Sequence, residues 1–253
     1  MALLSTQGVT LSFGGLRALD DVSVSVEQGD LLGIIGTNGA GKSTLFSAIT
    51  GHIRPDAGSI RLQGEEIGAL PVHHRVRRGL ARTFQVPREF GHMTVFDNMM
   101  TAAPAQAGER LANLLLRPAQ VKREEAEIAE RARELLAFLN LTRVAGEMAG
   151  RLSGGQKKLL ELGRLLMLQP SCLLLDEPFA GVNPVLVGEI AGKVAELNAR
   201  GMTVVIIEHN LDELARLARR FYVMDRGRVI AEGTPDAVLE DARVREAYMG
   251  GVA

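Results

Sequence analysis

Eight consecutive residues, Gly36-Thr-Asn-Gly39-Ala40-Gly41-Lys42-Ser43, fit the spacing G-x-x-x-x-G-K-[ST], and Thr44 follows them. Glycines at these positions let the main chain wrap closely round phosphate oxygens. Successive N–H groups and the start of a helix then make an anion site. Lys42 can reach β- and γ-phosphates, and the Ser43 hydroxyl can ligate Mg²⁺. The apolar run Leu31–Ile35 precedes the loop and the helical pattern of Leu45, Phe46 and Ile49 follows it. That strand–loop–helix setting is what the motif requires. The loop specifies nucleotide phosphates and leaves ATP, GTP, motor and kinase open.

Three further groups could do chemistry with it. Asp176 and Glu177 directly follow the apolar run Leu173–Leu175. Asp176 suits Mg²⁺, and Glu177 suits polarising an attacking water as a general base. Leu152-Ser153-Gly154-Gly155-Gln156 opens a helix holding Leu159, Leu160, Gly163, Leu166 and Met167. Ser153 is an N-cap candidate, and the glycines leave N–H groups bare for a phosphate. His209 follows the run Thr203–Ile207, which places it on the same catalytic edge as Lys42 and Glu177, where it can hydrogen-bond a γ-phosphate or the attacking water. His52, His73, His74 and His92 have no metal-ligand spacing and read as surface or loop residues. The cluster Arg75, Arg77, Arg78, Arg82 and Arg88 reads as a solvated face or docking surface, since the overall charge is balanced.

These residues need a scaffold, and strand-like and helix-like segments alternate along the chain. That alternation argues for an α/β fold. Val22, Val24 and Val26 alternate with polar residues, as in a half-buried strand. Leu31–Ile35, Leu173–Leu175 and Thr203–Ile207 read as buried parallel strands, each followed by polar residues at the carboxyl edge of an open sheet. From about Pro87 to Met167 the pattern turns helical, with Ile128, Ala132, Leu135, Leu136 and Leu139 on one face. Met93–Met100 and Thr101–Gly108 read as a loop or short helix. The tail reads as a short strand at Arg228–Ala231, a turn at Gly233–Pro235 and one closing helix.

Bulk composition narrows the classes. Among 253 residues, 29 Lys and Arg oppose 30 Asp and Glu, so the net charge of −1 exerts no general pull on nucleic acid or anionic lipid. The lone Cys172 excludes an internal disulfide and reads as a buried small hydrophobe. The start, Met1-Ala-Leu-Leu-Ser-Thr, lacks the basic region and long apolar run of a signal peptide. No stretch approaches the roughly 20 apolar residues that span a bilayer. Any membrane role is therefore expected to come through a partner.

With these motifs in this order, the chain resembles the ABC (ATP-binding cassette) ATPases over nearly its whole length. The resemblance implies a P-loop NTPase (RecA-like) α/β core with an antiparallel β subdomain, at residues 1–86 and 168–253, and an inserted α-helical subdomain at 87–167. It implies that Phe13 stacks on adenine, and that Gly36, Asn38, Gly39, Ala40, Gly41, Lys42, Ser43 and Thr44 form the Walker A loop. Gln85, in Arg82-Thr-Phe-Gln85, matches the glutamine that touches the metal and couples the nucleotide site to the transporter. Ser153, Gly154, Gly155 and Gln156 match the signature motif. Asp176 and Glu177 match the Walker B aspartate and catalytic glutamate, and His209 matches the switch histidine. The implied cofactors are ATP and Mg²⁺, the latter at Ser43, Gln85 and Asp176. The implied assembly is a head-to-tail dimer with a second ABC ATPase subunit, identical or different, which closes on ATP.

Finer text resembles the ATPase subunits of branched-chain amino acid importers. It comprises Phe13-Gly-Gly-Leu16, Arg82-Thr-Phe-Gln85, Met93-Thr-Val-Phe-Asp-Asn98, the long helical insert before the signature, Glu177-Pro-Phe-Ala-Gly-Val-Asn183-Pro184, Ile207-Glu-His-Asn210 and Gly233-Thr-Pro235 with Ala247-Tyr-Met-Gly250. This implies transmembrane permease subunits, an indirect link to a solute-binding protein, no nucleic acid, and a peripheral place on the cytoplasmic face of the inner membrane. The ATPases of importers of urea and other amides or aromatic acids share the pattern, as does the ATPase of lipopolysaccharide export, and a soluble iron–sulfur assembly ATPase is a further alternative. Asn183 stands where the family usually has Asp; it keeps hydrogen-bonding capacity but loses the charge, so the resemblance carries less for cross-talk between the two ATP sites. A chromosome-structure ATPase is disfavoured because about 110 residues between Gly41 and Ser153 are too few for a long coiled coil. A translation-factor protein would carry two cassettes. No Asn-Lys-x-Asp motif supports a GTPase, and Glu177 with His209 argues against a purely structural module.

Overall fold

The computed structural model describes residues 2–84, 88–209 and 211–249. The chain divides into two compact units, one of Met1–Gln85, Pro170–Ala180 and Val194–Ala253, the other of Val86–Gln169 and Gly181–Lys193.

The first unit holds two sheets. In the smaller, β1 (Ala2–Phe13) and β2 (Leu16–Glu27) form an antiparallel hairpin, and β4 (Ala57–Leu62) and β5 (Glu65–Glu66) extend it in the order β2-β1-β4-β5. Val22, Val24 and Val26 are buried while Ser23 is exposed, so the period of two seen in the sequence is the half-buried face of β2. The larger sheet runs β10-β9-β3-β8-β7-β6. Its strands are β3 (Leu31–Gly36), β6 (Leu80–Arg82), β7 (Cys172–Asp176), β8 (Thr203–Ile207), β9 (Arg220–Asp225) and β10 (Arg228–Gly233). All pair in parallel except β10, which runs antiparallel along the edge. Every residue of β3, β7 and β8 is buried, which explains their unbroken apolar runs. The parallel register aligns the carboxyl ends of β3, β7 and β8, with Ile34 and Asp176 each paired to Ile207. One apolar core joins the sheets, with Val9, Val22 and Ile60 packed in a cluster with Ile34, Phe46, Leu174 and Val205.

Helix α1 (Lys42–Thr50) follows β3 and ends at Gly51 in a left-handed C-cap. A second short helix, α2 (Val72–Arg77), corrects one expectation. Arg75 belongs to no solvated face, because it is only 2% exposed. Its guanidinium donates to the carbonyls of Ala48 (2.7 Å), Ile49 (2.6 Å), Gly68 (2.8 Å) and Leu70 (2.8 Å). A cation therefore satisfies the orphan carbonyls at the end of α1. His52, His73, His74 and His92 are exposed, as expected.

The second unit is helical. It contains α3 (Val95–Met100), α4 (Leu111–Leu116), α5 (Pro118–Phe138), α6 (Gly154–Met167) and the start of α7 (Pro184–Ala199). Thr94 caps α3, and fully buried Asn98 ties down the loop before it by bonding both the N–H and the C=O of Phe90. The stripe expected on α5 is present: Ala132 and Leu136 are buried, and Leu139 is buried just beyond the helix. Gly163 of α6 lets Leu139 and Met99 approach, since a Cβ there would lie 2.8 and 2.9 Å from their side chains. Gly181–Lys193, assigned to the core by the sequence reading, joins this unit because Leu186 packs on Gly155, Glu189 accepts from Asn140 and Lys193 lies over the Phe138 ring. Asn183 caps α7 by accepting the Leu186 N–H at 3.0 Å, with Pro184 at the first helical position.

The chain continues in the first unit through α8 (Leu211–Leu217), β9 and β10, and then two helices, α9 (Pro235–Glu240) and α10 (Ala242–Met249). The break between them is Asp241, whose Oδ1 accepts the Arg243 N–H at 2.8 Å and starts a new helix where one had been expected. Among the described residues, no helix is long and apolar enough to cross a membrane.

Candidate functional site

The loop between β3 and α1 is shaped by its surroundings as well as by its glycines. Gly36 has φ +152°, and a Cβ there would lie 2.1 Å from the Met224 carbonyl oxygen of β9. Gly41 has φ +99°, and its Cβ would meet the Ala18 carbonyl oxygen of β2 at 2.6 Å. No other residue fits either position without moving a strand. The Gly227 N–H, in the β9–β10 turn, donates to the Ala40 carbonyl and holds the loop from below.

Lys42 begins α1 and is 7% exposed. Its ammonium turns back over the loop and donates to the carbonyls of Gly36 at 2.8 Å and Thr37 at 2.9 Å. Burial pushes its pKa below the usual lysine value, and the charges of Glu177 and Asp176 oppose that shift. A cation centred on the loop is therefore held by two carbonyls and by the field of the acidic pair.

Asp176 ends β7 with 4% of its side chain exposed, and it is held on three sides. Oδ1 accepts from the Ser43 hydroxyl at 3.3 Å, Oδ2 accepts from Arg82 at 2.8 Å, and its backbone N–H donates to Thr83 Oγ1 at 2.9 Å. Arg82 therefore corrects the sequence reading a second time. It is no surface residue but a buried counterion, also bonded to Ser47 Oγ at 3.0 Å, with Phe46 and Phe84 rings 5.6 and 5.9 Å from its guanidinium carbon. Ser43 and Asp176, separated in sequence, thus bring a hydroxyl and a carboxylate oxygen together. Hard oxygens in this arrangement fit Mg²⁺, which takes few protein ligands and completes its shell with phosphates and water. No group of three or more His, Cys, Asp or Glu able to hold a metal occurs among the described residues.

Glu177 has φ +49°, an uncommon backbone for a non-glycine residue. Its N–H is fixed on the Ile207 carbonyl at 2.9 Å. The turn after it is anchored by Glu208, which sequence reasoning missed. Glu208 is 1% exposed, with Oε1 accepting from the Phe179 N–H at 2.8 Å and Oε2 accepting from the His209 N–H at 3.2 Å. The His209 ring is 59% exposed, and its Nδ1 lies 3.6 Å from Glu208 Oε2. One buried carboxylate thus joins the ends of β7 and β8, where Glu177 and His209 sit. The only sequence signal for Glu208 was its position in the Ile-Glu-His run.

His209 also lines a cleft of about 830 Å³ with Gly36, Asn38, Gly39 and Ala40, closed on another side by Arg243 and Tyr248 of α10. Phe13, at the end of β1, is 50% exposed. In the second unit Ser153 and Gln156 form a reciprocal capping box, Oγ accepting the Gln156 N–H at 3.3 Å and Oε1 accepting the Ser153 N–H at 3.0 Å. Ser153 and Gly154 are exposed, whereas Gly155 is buried against Leu186. Gln85 lies outside the described residues.

Comparison with known proteins follows this geometry. Residues 19–180 match the model of the ABC transporter family, and residues 228–253 match that of the branched-chain amino acid ATP-binding cassette transporter. The chain is 40% identical over 250 residues to the probable branched-chain amino acid transport ATP-binding protein LivG of Archaeoglobus fulgidus, covering 99% of this chain and 96% of that one. It is 34% identical to the lipopolysaccharide export system ATP-binding protein LptB of Haemophilus influenzae, covering 99% and 98%. The crystal structure of the ADP conformation of an ATP-binding cassette of an ABC transporter superposes with a TM-score of 0.84 at 38% identity, covering 99% of each chain. Sequence, fold and loop geometry agree that the chain belongs to the ABC transporter family, as an ATP-binding subunit.

Proposed function

We infer that this chain hydrolyses ATP to power the import of branched-chain amino acids. The observation that carries the reading is the meeting of Lys42, Ser43, Asp176 and Glu177 at the carboxyl edge of one parallel sheet, in a chain matching LivG along almost its whole length. The family match over residues 228–253 favours import over lipopolysaccharide export.

The N–H groups of the loop and the Lys42 ammonium would hold the β- and γ-phosphates. Ser43 and Asp176 would hold Mg²⁺, with Gln85 a further ligand, and the bound ion supplies neutralisation of the phosphate charge. Glu177 accepts a proton from water as the water oxygen bonds to the γ-phosphorus and the bond from phosphorus to the ADP oxygen breaks. His209 donates a hydrogen bond to a γ-phosphate oxygen, its position set by Glu208. Phe13 stacks on adenine. A second ABC ATPase subunit presents its own counterparts of Ser153–Gln156 to the γ-phosphate, so closure requires ATP and hydrolysis releases it. Transmembrane permease subunits convert that motion into transport at the cytoplasmic face of the membrane, and a solute-binding protein delivers the solute to them.

The test is affinity purification of tagged Glu177→Gln protein, with ATP, from detergent-solubilised membranes of its source, with partners identified by mass spectrometry. Two hydrophobic permease subunits whose solute-binding protein binds branched-chain amino acids support the reading. Lipid-export membrane proteins would replace it with the LptB-like alternative. Soluble partners alone, from membranes that retain other transporters intact, would overturn the transport assignment.

A further inference from the structure

Four leucines of the short helix α4 stand open. Leu111, Leu115 and Leu116 are 79%, 83% and 80% exposed, and Leu114 is 44% exposed. Leu111, Leu114 and Leu115 are spaced i, i+3, i+4, so they share one face. Contiguous apolar surface of this kind marks a place that something covers.

Cations border it. Between residues 109 and 123 the chain carries Arg110, Arg117, Lys122 and Arg123 against a single carboxylate, Glu109. All four cations are exposed, and Arg110 and Arg117 immediately flank the helix. None of the four forms an ion pair among the described residues, although other exposed cations of the same unit do, such as Arg133 with Glu130. The acids of α5 begin only at Glu124, and that carboxylate is turned back onto the Ala107 N–H and the Gln120 side chain. An apolar tip ringed by unpaired cations is complementary to a surface with closely spaced phosphates above an apolar layer.

We propose that α4 is a lipid contact, with its leucines entering the headgroup–acyl boundary of an anionic bilayer while Arg110, Arg117, Lys122 and Arg123 meet lipid phosphates. So few leucines bind weakly alone, as a single acyl chain does. Their effect is on a chain already held by membrane partners, where a weak second contact acts at high effective concentration. The proposal rests on the transport reading for the nearness of a membrane, and it uses no residue of the nucleotide site.

The chain contains no tryptophan, so a substituted one is the sole reporter of its kind. Leu115→Trp would be mixed with phosphatidylcholine vesicles, with or without phosphatidylglycerol, at low and high salt. Val185→Trp, at a residue also 83% exposed but outside the leucine face, serves as control. The expected result is a blue shift and co-sedimentation of Leu115→Trp with phosphatidylglycerol vesicles only. The Val185→Trp protein would sediment equally but keep its solvent-exposed spectrum. Binding should fall about fivefold for each of Arg110→Gln and Arg117→Gln, and should weaken with salt. No shift of Leu115→Trp at saturating phosphatidylglycerol would overturn the proposal, as would equal binding to pure phosphatidylcholine. With vesicles holding the permease subunits, a shift of equal size whether or not phosphatidylglycerol is present would also overturn it and give the face to a protein. ATP hydrolysis is measured on the same samples: its absence counts against the proposed function, while intact hydrolysis without vesicle binding counts against the lipid contact alone.

Discussion

Arg82 Nη2 and Asp176 Oδ2 lie 2.8 Å apart, with 9% and 4% of their side chains exposed. Arg82 ends β6 and Asp176 ends β7, so the pair joins neighbouring parallel strands at the edge where the phosphate loop sits. With Oδ2 taken by Arg82, Oδ1 faces Ser43. Arg82→Met would leave a buried carboxylate uncompensated, at a cost of about 3–5 kcal/mol. The expected result is a large drop in denaturant midpoint, mostly restored in the double variant Arg82→Met/Asp176→Asn. Equal destabilisation by the single and double variants would show that the pair is not what Arg82 contributes.

Lys42→Ala removes the cation at the centre of the loop. Charge-assisted hydrogen bonds contribute about 1.5–3 kcal/mol, so ATP affinity should fall roughly 10- to 100-fold in calorimetry. Fold stability should change little, because the Lys42 hydrogen bonds among the described residues go to loop carbonyls. Unchanged affinity would remove Lys42 from the site.

Ser153→Arg places a long cation on an exposed helix start whose N–H groups are assigned to the partner's γ-phosphate. Combined with Glu177→Gln, it should remain monomeric with ATP in sedimentation, while monomer nucleotide binding is retained. Loss of the capping box should lower stability by about 1 kcal/mol. A persistent ATP-dependent dimer would contradict the head-to-tail arrangement.

Burial pushes the Cys172 thiol up to about 12. The reactive thiolate is then scarce at neutral and mildly alkaline pH. Native protein at pH 8 should resist iodoacetamide and be labelled once on unfolding, as read by intact mass. Rapid native labelling would show that β7 opens.

The sequence made the periodic and sterically demanding parts legible. Val22, Val24 and Val26 alternate because one face of β2 is buried, and Gly36 and Gly41 of the phosphate loop are fixed by backbone approaches that admit no Cβ. Arg75 and Arg82 were misread because arginine on its own signals solvent. The groups that bury them, carbonyls at the end of α1 and a carboxylate 94 positions away, become neighbours only in the fold. Glu208 was hidden by its role, since it bonds backbone N–H groups of two different strand ends. The place of Gly181–Lys193 depends on Leu186 meeting Gly155, a tertiary contact with no local signature. Asp241 broke the closing helix through a capping bond that a hydrophobic pattern does not register.

The most direct test of the account compares ATP binding and single-turnover hydrolysis in wild type and Glu177→Gln. Glu177 follows Asp176 on a left-handed backbone, and its charge reaches Lys42. The account predicts ATP affinity within about threefold of wild type, the scale of a lost surface interaction. It predicts hydrolysis slower by roughly 10²–10⁴-fold, the scale of a lost general base. Hydrolysis at the wild-type rate, with ATP bound equally well, would contradict it.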